Sequence, residues 1–380
     1  MANETEKVNT IAIADIEKIN GKTDDNIENL SGLEFTGTPP DWKGTRAVIM
    51  GAGNYTAAGS ARTSAFIQYK TLDSDADTAD FGDLLVMRAQ QRGSGSNNTR
   101  AVCGGGFSVN NSNVTTQDLD DIDYVTVASV GTVGDAGDLA TGASQGGQSG
   151  ASNGTLCLFM GGNTDDANIA NIEHMTISST GATDGGGVLT AASRRHAASN
   201  GDSKSLIVGV ATGLVGQTNV DEHNFSTDGD ASDYGNAASV GMKYSGVVCS
   251  TSRVIIGGGR DGSWNAINTI QSFAVAGGSD STDEADLVLA VSQVSGTSDG
   301  TRGEFYGGLG GGTVTHTANP ALGTYVQNDI QKITIASISN ATDCGDLVTE
   351  GDSGGGADWS TGHQYSDSGG AMNMSSQTGT

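Results

Sequence analysis

The stretch TRAVCGGGFSVNNSNVTTQDLDDIDYVTVASVGTVGDAGDL, Thr99 to Leu139, contains every element that recurs along this chain. It opens on a short apolar run, Ala101 to Cys103, that ends in Gly104. After a variable stretch comes DIDYVTVAS, whose alternation places Ile122, Tyr124 and Thr126 on one face and Val125 and Val127 on the other. Both faces are apolar or aromatic, so this reads as a strand covered on both sides. An Asp-x-Gly-Asp-Leu element, Asp135 to Leu139, closes the unit. Its Asp suits a turn that caps backbone N–H groups, and its Gly takes a conformation other residues resist.

Outward from this stretch the same three elements recur. Apolar runs end at Gly51, Gly104, Gly161, Gly209, Gly257 and Gly307, in steps of 53, 57, 48, 48 and 50 residues. The Asp anchors are Asp80, Asp135, Asp184, Asp233, Asp283 and Asp343. Between them lie apolar pairs five apart: Ile67/Leu72, Ile122/Val127, Ile172/Ile177, Val220/Phe225, Ile270/Val275 and Ile330/Ile335. Ahead of most glycine anchors stands a turn signal (Asn97-Asn98, Asn153-Gly154, Asn200-Gly201, Asp299-Gly300), the chemistry of a tight hairpin. Each repeat therefore reads as four antiparallel strands with three tight reversals.

Six such repeats predict an all-β chain folded as a six-bladed β-propeller, spanning 41–360, with a short N-terminal extension (1–40) and a C-terminal tail (361–380). The first copy begins at its second strand, and GGGADWS (Gly354 to Ser360) is left over after the last. That surplus is expected to supply the missing inner strand of the first blade and so protect the ring's edges. The later HQYSDSGG leaves a seventh, partial blade as the alternative.

Composition agrees with strands rather than disorder. The 59 glycines have no Gly-X-Y period, and the 35% hydrophobic residues cluster in strand-length runs. A net charge of −26 would repel a phosphate backbone, which argues against nucleic-acid binding. Neither a signal peptide nor a membrane-length apolar segment is present, so synthesis in a cytoplasm without membrane insertion is expected. Cys103, Cys157, Cys249 and Cys344 form no Cys-x-x-Cys pair and read as reduced, structural residues.

Apolar strand, Gly-Gly, variable loop, second strand and Asp/Gly element, in that order, resemble the kelch class of repeats, best in Met87 to Gly106. The wording TRAVCGGG, DIDYVTVAS, TADFGDL and NATDCGDL is similar to that of kelch-like virion structural proteins of marine tailed phages, over about residues 45 to 350. The resemblance implies a non-enzymatic virion protein, made in the host cytoplasm and displayed on the particle as a capsid decoration, tail or fibre component. The leader carries a repeat of its own, DIEKING (Asp15 to Gly21) and NIENLSG (Asn26 to Gly32). By the same resemblance it implies attachment to other virion proteins. Ile16, Ile19, Ile27 and Leu30 are the docking candidates, spaced as two short amphipathic helical turns.

Residues with chemistry look structural. His174 and His223 lie in neighbouring repeats at register positions of opposite parity, so they are expected to face apart and to share no metal. No catalytic residue and no metal ligand is assigned, and no cofactor is expected. Among cations, Ca²⁺ is the one that the acidic runs Asp73/Asp75/Asp77, Asp118/Asp120/Asp121/Asp123 and Asp228/Asp230 could serve. Arg46, Arg100, Arg253 and Arg302 share one repeat position, as structural residues do. What varies is the loop after the glycine anchor, longest in the sixth repeat (Gly307 to Ile330). Its His316, Pro320 and Tyr325 are candidates for contact with another subunit or a cell-surface glycan.

Overall fold

The computed structural model describes residues 46–347, apart from loop stretches of which 56–60, 110–115, 142–147, 239–243 and 311–324 are the longest, together with six two-residue strands between residues 7 and 34. The chain divides into two compact units, Met1–Trp42 and Lys43–Thr380. No described residue is helical.

The larger unit is a six-bladed β-propeller. Blade 2 shows the plan: inner strand Gly93–Ser96, second strand Arg100–Gly104, third strand Asp121–Thr126 and outer strand Val133–Asp138, all antiparallel neighbours. The apolar run of each repeat is the second strand, and the spaced apolar pair begins in the third. Their register is the same in every blade, Met50↔Ile67 in the first and Tyr306↔Ile330 in the last. Asn97 caps the reversal into the second strand by accepting the N–H groups of Thr99 (2.9 Å) and Arg100 (2.8 Å). Asn153 and Asp299 do the same in blades 3 and 6. At the outer strand, Asp135 accepts the N–H of Gly137 at 2.6 Å, and that glycine's φ of 87° explains its place in the motif.

Blades are joined edge to edge by a repeated backbone link. Ala182 donates to the Asp138 carbonyl, Ala231 to Val188, Ser281 to Asn236 and Ala341 to Asp286, at 2.8–2.9 Å. Thr78 of blade 1 donates to the Asp346 carbonyl of blade 6 in the same way, at 2.9 Å. Six blades therefore close the ring, and no seventh is needed. Blade 1 contributes three successive strands, Arg46–Met50, Ala61–Thr71 and Ala79–Arg88. The GGGADWS stretch expected to complete it, and HQYSDSGG, lie outside the described residues.

The core is a set of layers between blades. One buried cluster joins Leu158 and Met160 of blade 3 to Ile207 and Phe225 of blade 4, and another joins Val48 and Phe81 of blade 1 to Tyr306 and Leu347 of blade 6. This is why strands in the middle of a blade carry apolar residues on both faces. All four cysteines are free and buried, as expected.

The smaller unit contains three hairpins: Lys7–Val8 with Ile11–Ala12, Lys18–Ile19 with Lys22–Thr23, and Asn29–Leu30 with Leu33–Glu34. Their starts, 7, 18 and 29, are eleven residues apart, so the leader repeat has three copies rather than the two visible in its wording. Ile19 and Leu30 lie in strands, not in helical turns. Asn20-Gly21 and Ser31-Gly32 stand between the paired strands, a sequence that favours reversal over a continued helix. Ile16 and Ile27 are outside the described residues.

Candidate functional site

One polar position recurs in all six third strands: Gln68, Asp123, Glu173, Asp221, Gln271 and Gln331, each at most 2% exposed. Each directly follows the first apolar residue of its pair, a regularity the anchors had hidden. Asp123 accepts the Leu85 N–H of the preceding blade at 3.2 Å, Glu173 that of Ala140 at 2.7 Å and Asp221 that of Thr190 at 2.8 Å. Gln331 takes the Leu289 N–H at 3.2 Å. These four side chains satisfy backbone groups where the chain leaves one blade for the next, while Gln68 and Gln271 accept from the Thr78 and Ser281 hydroxyls of their own blades. The four are clamps.

Three of the four repeated arginines are likewise used between blades, and Arg253 pairs with Glu284 of its own blade at 3.5 Å. Arg46 donates to the Val127 carbonyl at 2.7 Å and lies over Tyr69, while Arg100 donates to the Ile177 carbonyl at 3.4 Å and lies over Tyr124. Arg302 reaches from blade 6 to Ser74 and Asp75 of blade 1. The acidic runs have comparable employment: Asp77 accepts the Asp346 N–H at 2.9 Å and Asp230 the Val188 N–H at 3.1 Å. Lys332 and Arg302 bond to the Asp75 carboxylate and hold its pKa below the ordinary value. Among the described residues, no group of three or more His, Cys, Asp or Glu is arranged to hold a metal ion.

One cleft stands out. It lies between blades 3 and 4, lined by Leu158, His174, Gly185, His223, Phe225 and Asp228 among others. The two histidines that register parity placed on opposite faces thus border one space. Blades stack face to back, so opposite faces of neighbouring blades are the ones that meet. His174 Nδ1 is 3.4 Å from Asp228, and its Nε2 is 3.0 Å from the Thr183 hydroxyl. His223 is 3% exposed and its Nδ1 has no hydrogen-bond partner. Burial pushes its pKa below the ordinary imidazole value; Asp228 opposes that shift and His174 adds to it.

That shift has a stability consequence. Above the unfolded imidazole value of about 6.5 both states are neutral and the folded state keeps its full stability. As pH falls below it, the unfolded chain takes up the proton first, and stability declines until the lower folded pKa is reached. Met175 and Phe273 fill the same register position in blades 3 and 5. His223→Met is therefore expected to flatten denaturation midpoints between pH 8 and 5.5, removing a slope of at most about 1.4 kcal/mol per pH unit. An unchanged slope would refute this account.

In blades 1, 2 and 6 the stretch after the glycine anchor begins as a hairpin arm. In blade 1, Gly53–Tyr55 pairs with the start of the third strand. In blade 2, Phe107–Val109 pairs with Thr116–Asp118 and packs against blade 1. In blade 6, the second and third strands extend to Gly310 and Tyr325, which pair with each other, and Leu309 and Gly310 also pair with the outer strand of blade 5. His316 and Pro320 are outside the described residues. Ring closure makes neighbours of blades 6, 1 and 2, the three blades with the longest stretches between glycine anchor and third strand.

No known protein family matches the chain, and no curated protein matches it.

Proposed function

We propose that this chain is a structural protein of a phage virion, with the propeller displayed on the particle and the leader docked on another virion protein. The observation that carries this reading is the leader's construction. Three hairpins with two-residue strands recur every eleven residues, and hairpins of that size are at best marginally stable alone. A partner's surface would supply the missing contacts. The propeller's own polar residues support a non-catalytic role, since most of the recurring ones are engaged in holding blades together. Deleting residues 1–42 is expected to leave a folded propeller that no longer enters purified particles. Normal incorporation of the truncated protein would sink the docking assignment, and absence of the intact protein from particles would sink the whole reading.

A second reading, recognition of a cell-surface glycan during host adsorption, is favoured by the composition of the sixth repeat's long loop. In a chain of net charge −26, residues 308–328 contain no Asp, Glu, Lys or Arg and are rich in Gly, Thr and Asn, with Tyr325 at the edge. Such a composition suits an uncharged polar ligand. Shortening residues 311–324 is expected to reduce adsorption at least tenfold without loss of particle assembly. Unchanged adsorption together with a blank glycan array would remove this reading.

A further inference from the structure

The junction between blades 6 and 1 differs from the other five. At the third position of the second strand, Val48, Val102, Leu158, Leu206 and Ile255 are apolar, whereas blade 6 has Glu304. The residue paired with the second position of that strand is Val125, Met175, His223, Phe273 or Ile333, whereas blade 1 has Lys70. These two exceptions meet across the junction: Lys70 Nζ is 3.3 Å from Glu304 Oε1, with both side chains at most 1% exposed. Arg302 binds the same oxygen at 2.6 Å, and the Tyr306 hydroxyl donates to Oε2 at 2.6 Å. Two cations thus share one fully buried carboxylate. Cys344 of blade 6 completes the group, its sulfur 3.7 Å from Lys70 Nζ and 3.6 Å from Glu304.

We propose that Lys70 and Cys344 form a modification site, at which dioxygen joins Nζ to Sγ through a single bridging oxygen and so closes the ring covalently. The ammonium first releases one proton to solvent. One N–H bond and the S–H bond then break, N–O and O–S bonds form, and the second oxygen atom leaves as water with the two hydrogens. Dioxygen accepts four electrons, two from sulfur and two from nitrogen, so no other reactant is needed. The physical gain is electrostatic. The bridged nitrogen is uncharged, which leaves Glu304 to Arg302 and Tyr306 and removes a buried cation that had no carboxylate of its own. Bridging needs the two atoms about one ångström closer, a shift within reach of the flexible four-carbon lysine stem. Small apolar molecules enter closed interiors, so burial does not bar dioxygen.

Mass spectrometry of the full-length protein tests this. Protein equilibrated in air and denatured without reductant is expected to be about 14 Da heavier than the same sample after thiol reduction, the mass of one oxygen gained and two hydrogens lost. Digestion should yield a peptide containing Lys70 linked to one containing Cys344, and the reduced form should melt at a lower temperature. Cys344→Ala should show no mass difference; Ala136, buried at the equivalent place in blade 2, indicates that the site accepts alanine. Identical masses before and after reduction, with four alkylated cysteines in each, would overturn the proposal. So would sulfinic or sulfonic acid at Cys344 with the Lys70 amine still free.

Discussion

In the thiol-reduced protein, where Lys70 is an unbridged ammonium, Glu304→Ala is expected to destabilise the propeller by about 3–5 kcal/mol, because it strands Lys70 in the interior without a counter-charge. Lys70 is 3% exposed and Glu304 is fully buried. Arg302 keeps Asp75 as a partner at 2.8 Å, but the Tyr306 hydroxyl loses its acceptor. Burial raises the Tyr306 pKa well above its ordinary value, so the phenol stays protonated and has to find another acceptor. The double variant Lys70→Met/Glu304→Leu is the informative companion. Methionine and leucine fill these positions in other blades, at Met175 and at Leu158 and Leu206. Replacing a buried pair by well-packed apolar residues is often neutral or stabilising, so the double variant should recover most of the loss. Chemical denaturation of the two single variants and the double gives the coupling. A cost below about 0.5 kcal/mol for Glu304→Ala, the range of ordinary surface substitutions, would show that the pair is not a junction element.

Gly150→Val is expected to cost about 3 kcal/mol or more, for a packing reason. A Cβ at Gly150 would fall 2.0 Å from the Ser94 nitrogen, and one at Gly296 would fall 2.3 Å from the Val247 carbonyl oxygen. Neighbouring inner strands therefore approach backbone to backbone, which explains their content of Gly, Ser and Ala. Gly181→Ala is the comparison, since its Cβ would meet nothing within 4 Å. Its cost comes from a φ of 76° alone, about 1–2 kcal/mol. Thermal melts of the two variants separate crowding from backbone strain. Gly150→Val melting with the wild type would mean that the inner strands lie farther apart than described.

Most of the propeller was legible because its repeat is local. Asn97 and Asn153 cap reversals within their own blade, and Asp135 caps its own glycine. Residues chosen by contacts within three or four positions leave their pattern in any single copy. The clamp position was legible too: Gln68, Asp123, Glu173, Asp221, Gln271 and Gln331 all follow the first apolar residue of the pair. Its residue type varies, an amide in three repeats and a carboxylate in the other three, so the position carries no single-letter pattern. The leader misled through spacing. Apolar residues three apart suit a helical turn, yet the Asn-Gly and Ser-Gly that follow them suit a hairpin, and the turn chemistry prevailed.

The histidine pair shows where local reasoning ended. Parity along a strand correctly put His174 and His223 on opposite faces, but whether those faces meet depends on how blades stack. The same holds for Lys70 and Glu304, each an isolated exception to an apolar column and separated by most of the ring. The six repeats, their strands and their turns were determined by the sequence alone, because hydrogen bonds and alternation within about fifty residues specify them. The neighbours across each blade junction, and the pairing of the last blade with the first, were decided by tertiary structure. Ring closure brings together residues whose distance along the chain carries no signal.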